Sequence, residues 1–255
     1  METKNIGLRN IEVADTKISA IDGINGKLIY RGYDILDLVK KSTFEETACM
    51  LLNDDLPTPD MLKDFFNNLV ASRDIPEGIE KNLRNMPKTA NPMDVLQSTV
   101  SALAAYDAEK TDDRATNYHK AIQLIAKIPT IVAYWDRIRS GKEIVRPSKK
   151  LNHAGNFLYM LTGNEPDNEL ARIFDICLIL HAEHSFNAST FAAREVVSTR
   201  AHMYAAVSAA IGALSGELHG GANYQVMQMI FDIKEVPQKF YRYMKALDED
   251  LKKFK

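Results

Sequence analysis

The sequence predicts a mostly α-helical fold with one small β-hairpin near its N-terminus. Three observations carry this. Capping residues and prolines recur just ahead of apolar runs with helical spacing. Strand character is confined to Lys17–Tyr33. No internal repeat, low-complexity linker or sharp composition shift divides the chain. With 255 residues the chain can bury a proper core, and 45% hydrophobic against 26% charged residues excludes a disordered polymer.

In chain order, "KISAI" and "KLIY" flank "DGING", whose glycines allow the positive φ angles of a hairpin turn. "STFEETACMLLN" opens with Ser42 and has Glu45 three residues on, which predicts a capping box. Thr58–Pro59 and Asn91–Pro92 each place a cap before a proline at the first helical position. "DDRATNYHKAIQLIAKIPTIVAYWDRIRS" predicts a long helix, kinked or broken at Pro129 and ended by Gly141. "LNHAGNFLYMLTG" predicts a short helix closed by Gly163. The next helix begins with Pro166 and carries an apolar face at Leu170, Ile173, Phe174, Cys177 and Leu180, which its spacing predicts to be buried. Helical runs follow over Ala188–Thr199, Met203–Leu214 and Ala222–Ile233, and "VPQKFYRYMKALDEDLKKFK" is amphipathic and basic at its tip. The small residues of Met203–Leu214 permit close helix packing or a dimer interface.

A net charge of −2 argues against a general nucleic-acid binder, which needs a basic surface. Met1–Asn10 is polar and lacks the apolar segment of a signal peptide. Apolar runs such as "ICLIL" are too short to span a bilayer. Cys49 and Cys177 lie in apolar helical runs, so two buried thiols and a cytoplasmic location are expected.

Two stretches concentrate chemistry: "ILHAEHSFNASTF" and "ALSGELHGGAN". His181 and His184 are three apart at a helix end, where capping or core histidines bonded to carbonyls are the ordinary outcome. A metal reading would join them to Glu183 and His219, but the spacing is i,i+3 rather than the i,i+4 of two converging ligands. His219 precedes Gly220 and Gly221, which cost stability unless the backbone approaches something closely. A helix starting just beyond sets its positive end near that ring, which favours a neutral imidazole able to donate to a developing enolate. A tight turn around a hydrogen-bonded histidine is the competing reading. "SFNAST" supplies hydroxyls and an amide that cap the next helix, with amides left for an anion such as a carboxylate.

Four blocks, "GLRNIEVADTKISAIDGINGKLIYRGYDILDL", "NPMDVLQSTVSALAAYD", "ILHAEHSFNASTFAAREV" and "AAIGALSGELHGGANYQVMQMI", resemble citrate synthase of the shorter archaeal and bacterial type, in order and over nearly the whole chain. The resemblance implies a multi-helix fold with a large domain over residues 1–202, a partial small domain over 203–255, and a homodimer. It implies condensation of acetyl-CoA with oxaloacetate to citrate and CoA, with no metal or other cofactor. His219 matches the family's L-H-G block and would hold the acetyl-CoA carbonyl and stabilise its enol. His184 would bind oxaloacetate, with Asn187 and Ser189 lining that site.

The sequence departs from the family pattern at three places. Asn91 stands where the family has a histidine before P-M-D-V, and Ser185 where most members have glutamate. The G-F-G-H-R-V-Y block and the aspartate and arginines beyond it are absent from these 255 residues. The general base is thereby missing, because one histidine cannot both remove the proton and stabilise the enol. A second chain supplying those residues, an inactive truncated product, a 2-methylcitrate synthase using propionyl-CoA, and a non-catalytic oxaloacetate-binding or regulatory paralogue all remain open.

Overall fold

A computed structural model describes residues 14–109 and 111–235 of the chain; the amphipathic basic segment at the end of the sequence lies outside them. β1 (Ser19–Asp22) pairs antiparallel with β2 (Lys27–Tyr30), with Ser19 opposite Tyr30 and Asp22 opposite Lys27. The Asp22 carboxylate accepts the Ile24 and Asn25 amides, and Gly26 takes the positive φ that closes the turn. A third short strand that the sequence reading did not separate, β3 (Tyr33–Asp34), pairs back onto β2. The two residues between them, Arg31 and Gly32, both have positive φ, as a primed two-residue hairpin turn requires.

Helices follow: α1 (Ile35–Lys41), α2 (Phe44–Asn53), α3 (Pro59–Ala71), α4 (Glu77–Asn85), α5 (Pro92–Leu103), α6 (Arg114–Arg139), α7 (His153–Thr162), α8 (Asn168–Leu180), α9 (Ala188–Ser198), α10 (Met203–Leu214) and α11 (Gly221–Glu235). Thr58, Asn91 and Asn152 cap α3, α5 and α7 through their side chains. Gly141 and Gly163 follow α6 and α7 with positive φ. Among the described residues no helix is long and apolar enough to cross a membrane.

Four expectations are corrected. The cap of α2 is Thr43, whose hydroxyl accepts the Glu46 amide; Ser42 instead ends α1. Glu45 is therefore not a capping-box partner: it is buried, and its carboxylate accepts the His153 amide at 2.6 Å. The α6 helix runs unbroken through Pro129. The α8 helix starts two residues later than Pro166, at Asn168, capped by Asp167. The fourth correction is the largest: the α8 face predicted to be buried is turned outward. Leu170, Ile173 and Leu180 are exposed, and so is Cys177, leaving Cys49 as the buried thiol.

Buried polar chemistry explains that inversion. Asp175 of α8 is 1% exposed and accepts the Phe44 amide at the first turn of α2, where the helix dipole favours an anion. Arg172 donates to Asp175 at 2.7 Å and to the carbonyls of Ser42 and Val39 at the end of α1. Ile179, fully buried, joins Tyr30, Ile35, Leu38 and Met50 in one small core. A hydrophobicity pattern counts Asp175 as outward-facing; the ion pair and the amide allow it inward.

The main core gathers α4, α5, α6, α7 and α10 around Ile79, Leu83, Val100, Tyr134, Trp135 and Met160. A second cluster holds α2 and α3 on α6 through Cys49, Phe65, Leu69 and Ile122. Between them the buried Arg73 donates to the carbonyls of Ser148 and Leu151 ahead of α7. Burial lowers its guanidinium to about 10, which leaves it charged at neutral pH.

Burial, with the Arg73 charge adding to it, holds the His153 imidazole down at about 3 against an ordinary 6.5. Between those values the unfolded chain binds the proton and the folded one does not, so stability falls as pH drops below 6.5. From pH 6.5 to 5 this group alone is expected to remove roughly 1.5–2 kcal/mol. Glu45, raised by burial, acts in the opposite sense by taking up its proton earlier in the folded state. Urea unfolding of His153→Leu across that window should show a slope shallower than wild type by that amount; equal slopes would place the acid sensitivity elsewhere.

Candidate active site

The two histidine-bearing stretches meet through α9 and α10. The Thr199–His202 connection folds the two helices back on each other, so the start of α9 lies beside the turn that follows α10. Ser189, at the second position of α9, places its Oγ 2.8 Å from Nε2 of His219. Both residues are half-buried.

The turn that holds His219 is built on close backbone approach. The His219 amide donates to Gly216 O at 3.0 Å, and the Gly220 amide donates to Leu214 O, also at 3.0 Å. A Cβ on Gly220 would lie 2.2 Å from that same carbonyl, so glycine is required there. Gly221 carries no such constraint; its Cβ would meet only ordinary contacts, and it opens α11. The α11 N-terminus starts two residues past His219, one residue ahead of the Ala222 that the sequence suggests.

Around the other stretch, the ordinary reading of His181 is the one observed: its Nδ1 lies 2.7 Å from Cys177 O, at the end of α8. Asn187 caps α9, with its Oδ1 accepting the Thr190 amide at 2.8 Å and its Nδ2 left over. His184 is exposed and makes no hydrogen bond or ion pair among the described residues, and none joins it to His219. Among the described residues no three histidine, cysteine or acidic side chains are placed to hold a metal ion.

Tyr30 and Ser19 escaped the sequence reading of the site, and so did the bonding role of Glu183. The Tyr30 hydroxyl, buried at 0% exposure, lies 3.2 and 3.3 Å from the carbonyls of Ile179 and Leu180 and accepts the Glu183 amide at 3.2 Å. Glu183, weighed only as a metal ligand, has an Oε1 that accepts the Ser185 amide at 2.5 Å and the Ser19 hydroxyl at 3.1 Å. Ser185 has a φ of +67°, in the left-handed region that costs a residue with a Cβ about 1–2 kcal/mol. On the far side Arg194 lies over the Phe186 ring, 4.3 Å from its centroid. Only Glu183 left a local signal, since a carboxylate two residues before an amide closes a short turn. Tyr30 and Ser19 lie about 150 residues away and left none.

The overall mostly helical fold superposes on solved citrate synthases. That of Pyrobaculum aerophilum superposes with a TM-score of 0.83 at 41% identity, over 89% of this chain and 58% of that one. That of Thermoplasma acidophilum, solved as a ternary complex with carboxymethyl coenzyme A and oxaloacetate, gives 0.83 at 27% identity, over 88% and 59%. The family model described as citrate synthase, C-terminal domain, matches residues 7–254. The chain belongs to the citrate synthase family. Its curated relatives include the citrate synthase of Haloferax volcanii, 45% identical over 90% of this chain and 62% of that protein. They also include a 2-methylcitrate synthase of Mycobacterium tuberculosis, 42% identical over 89% and 58%. The chain thus spans about three-fifths of the length of the relatives it matches.

The Ser189 bond has a consequence for the imidazole. The contact is compatible with either direction; in the tautomer where Ser189 donates to Nε2, a neutral ring carries its proton on Nδ1 and keeps one free donor. Ser189→Ala should release this preference: long-range 1H–15N correlation spectra of His219 are expected to change from one tautomer to a mixture. The stability loss should stay near 0.5–1.5 kcal/mol, the worth of one hydrogen bond. An unchanged spectrum would show that Ser189 does not set the tautomer.

Proposed function

We propose that this chain carries part of the active site of a citrate synthase, condensing an acyl-CoA with oxaloacetate. The carrying observation is the 2.8 Å contact between Ser189 Oγ and His219 Nε2 on a glycine-built turn, which, with Ser189 as donor, leaves Nδ1 as the one free imidazole donor. An acyl thioester is a weak carbon acid, so a preorganised donor at its carbonyl oxygen contributes most when negative charge develops there. In this reading His219 donates through Nδ1 to the thioester oxygen as a base removes the α-proton. The enol carbon then attacks the ketone carbon of oxaloacetate, the new C–C bond forms, and water releases CoA from the citryl thioester.

His184, exposed at the mouth of its loop, takes a carboxylate or the ketone of oxaloacetate, and the spare Nδ2 of Asn187 lines the same site. Ser189 then serves mainly to orient His219. In this reading neither the base nor the group that polarises the ketone is among these residues; the chain spans 62% of the Haloferax volcanii relative and 58% of the Pyrobaculum aerophilum one. No metal or other cofactor enters these steps. Propionyl-CoA as donor, giving 2-methylcitrate, is supported by the 2-methylcitrate synthase among the relatives. Pairing with a second copy is supported by the exposed apolar residues of α8 and α9, Leu170, Ile173, Leu180, Phe191 and Val197. A cytoplasmic setting suits these substrates.

Oxaloacetate should raise the unfolding midpoint of the purified chain. His184→Ala should abolish that shift, and His219→Ala should retain it. Thiol release from acetyl-CoA plus oxaloacetate should be absent with the chain alone. Turnover at an ordinary enzymatic rate would show that the base lies within these 255 residues and would overturn that part of the reading. A shift unaffected by His184→Ala would remove His184 from the site.

A further inference from the structure

We propose that the N-terminal hairpin is the positioning element of the His184 loop, with Tyr30 and Ser19 acting on ligand binding through Glu183. The proposal rests on His184 being the oxaloacetate-binding histidine. No hydrogen bond of its own holds that side chain among the described residues. The backbone on either side must therefore decide where the ring stands.

That backbone is tied to the hairpin at each step. The Tyr30 hydroxyl lies within bonding distance of two carbonyls, Ile179 O and Leu180 O, and accepts from the Glu183 amide. One buried hydroxyl thus joins the last turn of α8 to the residue before His184, answering a carbonyl that a helix end leaves unpaired. The Glu183 carboxylate then bridges the residue after His184 to β1, accepting the Ser185 amide and the Ser19 hydroxyl. Ser19 and Ser185 hydroxyls lie 3.2 Å apart, closing the ring.

Ser185 shows what this ring does. Its φ of +67° is a conformation that a serine adopts at a cost, and it persists because the surrounding bonds over-determine it. A relaxed Ser185 would swing the chain on which His184 sits. Of the hairpin, Ile21 and Ile24 are exposed and Ser19 is buried, while Tyr30 lies in the small core with Ile35, Leu38, Met50 and Ile179 and directs its hydroxyl at the loop.

The test uses the full chain with Ser19→Ala, Ser19→Thr and Tyr30→Phe. Amide exchange over residues 183–186, followed by mass spectrometry, should speed up at least 10-fold in Ser19→Ala and Tyr30→Phe, with α5 and α6 unchanged. The Kd for oxaloacetate, by calorimetry, should rise at least 10-fold in the same two variants. Ser19→Thr, which keeps the hydroxyl, should behave as wild type in both. Unchanged exchange and unchanged Kd would overturn the proposal. So would changes that appear only together with faster exchange in the core helices, since that is a general loss of stability. If the wild-type chain binds no oxaloacetate, the reading of His184 falls instead, and the exchange data alone decide whether the hairpin sets the loop.

Discussion

The close approach of α10 to α5 is the constraint on which the candidate site depends. It exists because α10 presents small residues: Ala206 and Ser208 are buried, and a Cβ on Gly212 would lie 2.6 Å from Gln97 Nε2. The Ser208 hydroxyl donates to Gln97 O at 3.1 Å, so the helices are held in contact by a side-chain-to-backbone bond as well as by shape. Tyr204 and Ile211 anchor the same helix in the main core. With α10 seated, its far end fixes the turn that carries His219, and the returning α9 fixes Ser189 beside it.

Much of this was legible locally. Caps at Thr58, Asn91 and Asn187 declare themselves because one side chain satisfies an amide two or three residues on, and no distant partner is needed. His219 stood out for a sound reason at Gly220, where the backbone touches Leu214 O, and for no comparable reason at Gly221. His184 and Asn187 were legible as a loop and a cap. The family resemblance put Ser189 with His184 and Asn187; its contact with His219 is found only in the structure, and nothing in the spacing of the two residues shows it.

What the sequence hid has a common physical origin in buried charge. Asp175 and Glu45 look like surface residues, and each instead sits on the first amide of another helix, α2 and α7 respectively. An anion at such a place is matched by the helix dipole and, for Asp175, by Arg172. Periodicity cannot anticipate that exchange, because it assigns a face from hydrophobicity alone. The rotation of α8 that follows carries Leu170, Ile173 and Cys177 outward and brings Ile179 onto Tyr30. The same rotation sets the end of α8 against the Tyr30 hydroxyl, so the misread face and the unforeseen tether are one event.

The tether also separates the two histidine stretches in time. Ser189 and His219 are 30 residues apart and joined by one helical hairpin, whereas Ser19 and Ser185 are 166 apart. Closing the longer loop costs more chain entropy and waits on the cores that lie between its ends. During synthesis the strand bearing Ser19 leaves the ribosome first and must idle until α8 exists to receive it. The His219 turn is thus expected to order early and cheaply, and the His184 loop late, as the step that registers completion of the fold around it.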